Sequence, residues 1–108
     1  MRPPGAIRVS SYRRGGRLVP YAARGLRAGS VALKRGEVMD WHSTDSREEL
    51  LIALRGRVSV EVCDARRRIR RSLLRAGSCL FLPSRTTHRV VNRSRVEARY
   101  LYITAPIK

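Results

Sequence analysis

The strongest constraint on this chain is a two-residue rhythm of apolar side chains, cut at short intervals by glycine or proline. Val58, Val60 and Val62 alternate with Ser59 and Glu61, and Tyr100 and Tyr102 alternate with Leu101 and Ile103. Successive side chains of a strand point to opposite faces, so this rhythm marks half-buried β-strands. The run Glu48–Leu54 is more continuously apolar and suits a strand covered on both faces. Further strands are predicted at Ile7–Tyr12, Ser30–Lys34, Ile69–Leu74, Ser78–Leu82, His88–Asn92 and Arg99–Thr104. Arg55-Gly56-Arg57 looks like a hairpin turn, Asp64-Ala65-Arg66 follows the next strand, and Pro83 ends another because proline cannot donate to a ladder. No stretch reads as an amphipathic helix. Many short strands with glycine and proline turns predict an all-β sandwich or barrel.

The chain has 108 residues, which fits one domain, and 43% of them are hydrophobic, enough for a packed core. Residues 29–108 read as the barrel domain. Residues 1–28, with Gly15, Gly16 and Gly25 among scattered arginines, read as a segment that holds one edge strand or pairs with a partner chain.

Charge narrows the partners less than it first suggests. There are 24 Lys+Arg against 8 Asp+Glu, a formal net charge of +16; only Lys34 and Lys108 are lysines, leaving 22 arginines. Such a balance attracts nucleic acid or anionic lipid. So strong a preference for arginine also follows from GC-rich coding, which makes a chain basic everywhere. The run Arg66–Arg71 falls where a turn is expected and contains no aromatic for base stacking, so it reads as a solvated turn. Nucleic-acid binding is therefore the third-ranked function. The longest purely apolar run, Leu50–Leu54, is far short of the ~20 residues of a spanning helix. The opening Met1-Arg2-Pro3-Pro4-Gly5 lacks the apolar core of a signal peptide. Cys63 and Cys79 have no CxxC spacing and sit in strand-like runs. They are predicted to be reduced core residues of a cytoplasmic protein, with a single disulfide as the alternative.

The chemistry concentrates around two histidines, His42 and His88. Glu37, Asp40, Asp45, Glu48 and Glu49 place five of the eight acids beside the first. Imidazole with carboxylate supplies nitrogen and oxygen ligands for a first-row divalent ion, and the clustered acids lower the local positive potential. Gly36, Gly56, Gly77 and Pro83 are turn formers rather than functional residues, and Asn92 suits structural hydrogen bonds.

The spacing resembles the two motifs of the cupin superfamily. In the first, Gly36 is followed by five residues, His42, Ser43, Thr44, four residues, Glu49, six residues and Gly56. In the second, Gly77 is followed by five residues, Pro83, Ser84, Arg85, two residues, His88, three residues and Asn92. The resemblance implies an antiparallel jelly-roll β-barrel of the RmlC-like kind, with His42, Glu49 and His88 converging on a metal inside it. Two imidazoles and one carboxylate form the facial set used by non-haem iron oxygenases. Iron, manganese, nickel, cobalt and zinc all accept such ligands. Thr44 stands where the family usually has a second histidine, and Arg85 where it usually has glycine. If that position needs a positive φ, arginine fits poorly, and the loop then differs or lets Arg85 reach the cavity mouth.

The resemblance implies a metal-dependent enzyme acting on a small organic molecule by dioxygenation or isomerisation, as a homodimer. The competing reading is a barrel that binds a metal or small ligand without turnover, as a sensor. No general base stands out; Tyr100, Tyr102 and Glu48 are the candidates, and the two tyrosines share one face that lies either inside the barrel or outside it. Glu48 and Glu49 are adjacent and face opposite sides, and the register favours Glu49 as ligand. Trp41 suits a pocket wall, a core position or an interface. Thr44 and Arg85 complete the candidate pocket.

Overall fold

A computed structural model describes residues 7–107. These residues contain no helix. Nine strands form: β1 (Gly16–Arg17), β2 (Arg27–Leu33), β3 (Val38–Ser43), β4 (Arg47–Arg55), β5 (Arg57–Cys63), β6 (Ile69–Arg75), β7 (Cys79–Leu82), β8 (Thr87–Val91) and β9 (Ala98–Pro106). They build two antiparallel sheets, one in the order β1-β2-β9-β4-β7 and one in the order β3-β8-β5-β6.

The pairing is nested. β5 pairs with β6, β4 with β7, β3 with β8 and β2 with β9. The chain is thus one long antiparallel ribbon, rolled up so that its layers close into a jelly roll. The tip of the ribbon is the turn between β5 and β6. There the Asp64 carboxylate accepts the backbone N–H groups of Arg66 and Arg68, and Arg67 takes a left-handed φ of 62°. The arginine run is therefore half solvated turn and half β6, all of it exposed.

Alternation delivers the core. Leu51 and Ala53 from one sheet meet Val58, Val60, Leu74 and Val90 from the other, with Leu33, Leu82, Ala98 and Tyr100 closing the cluster. Fully burying each of the larger side chains contributes about 1.5–3 kcal/mol.

Three local expectations are corrected. Arg55-Gly56-Arg57 is not a hairpin: β4 pairs with β7 and β9, β5 with β6 and β8, so the chain crosses between sheets at Gly56. Gly56 has a φ of 68°, and a Cβ there would lie 2.9 Å from the Glu97 carbonyl oxygen. A hairpin and a corner need the same turn chemistry, which is why the residues alone do not separate them. Ile7–Tyr12 forms no strand; it lies exposed with no neighbouring strand to supply a ladder, and Ile7 is fully accessible. Cys63 and Cys79 are both free, and neither is in the core. Each shares its strand's outward parity, Cys63 with Glu61 and Cys79 with Phe81.

On the outer face of the four-stranded sheet, Glu61 has no solvent exposure and sits under three guanidiniums. Arg71 and Arg89 are its direct cross-strand partners, at 2.8 and 2.6 Å, and Arg93 reaches it at 2.7 Å. The Arg93 hydrogen bond, opposed by burial and helped by Arg89, holds the Glu61 carboxyl down at about 2. A depressed carboxyl pKa stabilises the fold above the unfolded value, and that contribution is lost as pH falls.

Two outcomes follow. Thermal stability should fall between about pH 4.5 and 2, and Glu61→Gln should flatten that slope and cost about 1–3 kcal/mol, less than a fully buried pair because Arg71 and Arg93 can rehydrate. Denaturant unfolding across that pH range checks both; an unchanged slope in the variant contradicts the assignment. Gly56→Ala should lower stability by at least about 1–2 kcal/mol from the left-handed φ alone, measured by the same unfolding curves.

Candidate metal centre

The histidines meet because of register. His42 on β3 and His88 on β8 are direct cross-strand partners, with ring centroids 4.2 Å apart. The β3–β8 register slips between Met39 and His42, so β3 carries one extra residue there, a β-bulge at Asp40–Trp41. Without the bulge, Met39 and His42 would face opposite sides; with it, both line the same cavity. Glu49 reaches the site from β4 in the facing sheet, on the inward parity of Leu51 and Ala53. One ligand atom from each of His42, Glu49 and His88 lies within 4.8 Å of the others.

Backbone carbonyls set both imidazoles. His42 Nδ1 lies 2.7 Å from the carbonyl of Asp40, and His88 Nδ1 lies 3.1 Å from the carbonyl of Thr86. A carbonyl only accepts, so each neutral ring carries its proton on Nδ1 and leaves a lone pair on Nε2. This is the outer support that metal-binding histidines commonly have. His88 Nε2 is buried with no hydrogen-bond partner, and Glu49 Oε2 is 3.7 Å away. Two acceptors face each other across a gap too long for a hydrogen bond. Burial works against charging His88, but its contacts with Glu49 and the Thr86 carbonyl prevail and raise its pKa. The gap therefore favours a cation, and the donor set fits a divalent transition metal.

The centre opens on a cavity of about 380 Å³. Tyr100 and Tyr102 both face it. Gly29 lies directly opposite Tyr102, and a Cβ there would collide with the Tyr102 hydroxyl and ring, so only glycine gives that ring its place. Burial, then the charge of Glu49 and the neighbouring Tyr102, pushes the Tyr100 phenol above its usual range. Tyr100 thus keeps its proton and presents a neutral hydroxyl to the cavity.

The remaining predicted residues divide. Thr44 is buried on the cavity wall, but its hydroxyl donates to the Pro83 carbonyl at 2.7 Å and accepts the Thr86 N–H at 3.0 Å. It clamps the loop whose Thr86 carbonyl orients His88. Arg85 does adopt a positive φ, 57°, and its N–H donates to the Asp45 carbonyl. The loop keeps its glycine-like shape at a cost of roughly 1–2 kcal/mol, and the exposed Arg85 is not among the cavity-lining residues. Trp41 lies away from the lining, stacked beneath the Arg89 guanidinium at 4.8 Å. Glu48 is exposed on the other face of β4, against Leu50 and Phe81. The lining also includes Arg17, Arg27, Arg47, Met39 and Thr104, which the motifs do not mark. Arg47 had a usable signal, since it stands two residues before Glu49 on the same face.

The comparisons with known proteins agree with this architecture. Among solved structures, oxalate oxidase in complex with glycolate superposes with a TM-score of 0.70 at 18% identity, over 76% of this chain. This chain spans only 42% of that oxalate oxidase chain. The protein TT1209 from Thermus thermophilus matches at 25% identity and a TM-score of 0.71, covering 90% of both chains. The Cnp3 cupin domain of Schizosaccharomyces pombe matches at 16% identity and a TM-score of 0.72, over 86% of this chain and 64% of that one. Among curated proteins, no sequence matches this chain. The family model for the cupin domain matches residues 29–104, a stretch that holds the clustered His42, Glu49 and His88. By that match and by its fold, the chain belongs to the cupin family.

Proposed function

We propose that this cupin holds one divalent transition metal through His42, Glu49 and His88 and acts on a small organic molecule in the adjoining cavity, by dioxygenation or isomerisation. The observation that carries the reading is His88 Nε2, buried, unpartnered and aimed at Glu49 Oε2. Such a lone pair costs about 1–3 kcal/mol unless something occupies the gap. The resemblance to an oxalate oxidase that binds glycolate supports a small oxygenated substrate.

Each residue has a task in this reading. The Asp40 and Thr86 carbonyls hold the imidazoles with Nε2 toward the centre. Thr44 fixes the Thr86 loop instead of supplying a fourth ligand. When bound, the metal supplies Lewis acidity or access to dioxygen. Tyr100 donates a hydrogen bond to a substrate oxygen, and Tyr102 walls the opposite side. Three protein ligands leave coordination positions free, which favours chemistry over a closed sensor site.

A homodimer in the cytoplasm completes the proposal. The outer face of the five-stranded sheet carries the cross-strand row Ile103–Leu50–Phe81, with Phe81 57% exposed, which suits a covered face. The free thiols suit a reducing compartment.

Metal content tests the centre. The wild type, reconstituted and desalted, should retain about one equivalent of iron, manganese or cobalt. His88→Ala and the exposed His42→Ala should each weaken metal affinity at least about tenfold while remaining folded by circular dichroism. Wild-type metal binding in both variants would overturn the reading. Saturable ligand binding with no turnover by the loaded protein would favour the sensor.

A further inference from the structure

The cavity wall beside the centre holds two guanidiniums with no acid to neutralise them. Arg27 and Arg47 flank Thr104 from the two strands that sandwich β9: Arg27 is the direct partner of Thr104 on β2, and Arg47 hydrogen-bonds to Thr104 from β4. Arg47 Nε donates to Thr104 Oγ1 at 2.8 Å, and Nη2 donates to the Thr104 carbonyl at 3.1 Å and to the Gly25 carbonyl. All three acceptors are neutral. They fix the direction of the guanidinium without cancelling its charge. Among the described residues, Nη1 of Arg47 has no hydrogen-bond partner, and neither Arg27 nor Arg47 forms an ion pair.

An unpaired arginine on an open surface is ordinary in a chain this basic, because water solvates it. Arg47 is different: it is half-buried, pinned by three bonds and set on a cavity wall. Where this chain does bury a carboxylate on its other sheet, three arginines gather on it. Here the acid is missing. Two like charges placed side by side on a cavity wall repel each other and are relieved by an anion placed between them. The cavity lining as a whole has three guanidiniums, of Arg17, Arg27 and Arg47, against the carboxylates of Glu49 and Asp45, even before a divalent ion adds its charge.

We propose that Arg47 and Arg27 form a carboxylate-recognition site, so that the molecule bound in this cavity is a small organic acid. The inference rests on the metal reading above for the ligand's other end. Glu49 and Thr104 are cross-strand partners and Arg27 is opposite Thr104, so Arg27 and Glu49 share one row of the sheet; Arg47 is paired with Pro106, and its guanidinium reaches that row through its bonds to Thr104. Neighbouring strands are about 4.8 Å apart, so the acid is short: a hydroxy acid or a single-ring acid with a second oxygen directed to the centre. The fork of Arg47 matches the two oxygens of a carboxylate, whereas a neutral sugar leaves both charges unanswered.

Cobalt-loaded protein tests this by calorimetric titration with glycolate, lactate and salicylate, each against its neutral amide. In the wild type at least one acid should bind ten- to a hundredfold more tightly than its amide, the range of a charge-assisted contact. Arg47→Gln should erase that preference and keep about one equivalent of cobalt. Arg27→Gln, at an exposed position that the fold does not need, should reduce the preference severalfold. Arg47→Lys, which keeps the charge but not the fork, should recover part of it. The proposal is overturned if no acid outbinds its amide in the wild type, or if metal-loaded Arg47→Gln and Arg27→Gln keep the preference. If the wild type takes up no cobalt, the metal reading fails by itself, and the same comparison on metal-free protein decides the carboxylate site.

Discussion

One extra residue in β3 governs this structure. The bulge at Asp40–Trp41 turns His42 inward opposite His88, and the Asp40 carbonyl within it accepts the hydrogen bond of His42 Nδ1–H. Remove the bulge and the parity of the strand would send His42 to the outer face, beside the Glu61 cluster. The neighbouring side chains of Trp41 and His42 then fall on opposite faces by ordinary alternation. Trp41 stacks under Arg89 on the outside, and His42 enters the cavity. Bulges are frequent beside functional sites because they re-aim single side chains without unpairing a strand.

Scarcity of acids shapes the rest. Eight carboxylates serve 24 basic residues, so where each one goes has consequences. Glu61 is spent on the outer face, where it ties β5, β6 and β8 together through three arginines. Glu49 is held inside against His88, across a gap suited to a cation. Asp64 forms the ribbon's tip and Asp40 the bulge. None forms an ion pair with Arg27 or Arg47 among the described residues, and that unanswered charge is what the proposed carboxylate site rests on. The jelly roll makes these separate uses possible, because alternate residues of one strand serve opposite faces.

Much of this was legible in the residues. Alternation located β2 and β4 to β9 closely, and the two motif spacings brought His42, Glu49 and His88 to one point. β3 was hidden because its bulge breaks the alternation over Met39–His42. The corner at Gly56 was hidden because a local turn does not reveal which sheet its strands join. Ile7–Tyr12 has a strand's pattern but no partner, and a strand exists only in a ladder. The outward cysteines could have been assigned by counting from Glu61 and Phe81. Arg47 could have been assigned by counting back from Glu49, but it is one half-buried arginine among 22. Arg85 was legible as a misfit for a turn that needs a positive φ, and its φ of 57° shows that the arginine adopts one.

The central claim is that two imidazoles, from strands paired in one register, hold a single ion with one carboxylate. X-ray absorption spectroscopy of the cobalt-loaded protein addresses it most directly, because imidazole rings give a distinctive outer-shell scattering pattern. Two imidazoles per cobalt in the wild type, falling to one in His42→Ala, is the expected result. An all-oxygen environment, or an imidazole count unchanged by that substitution, would contradict it.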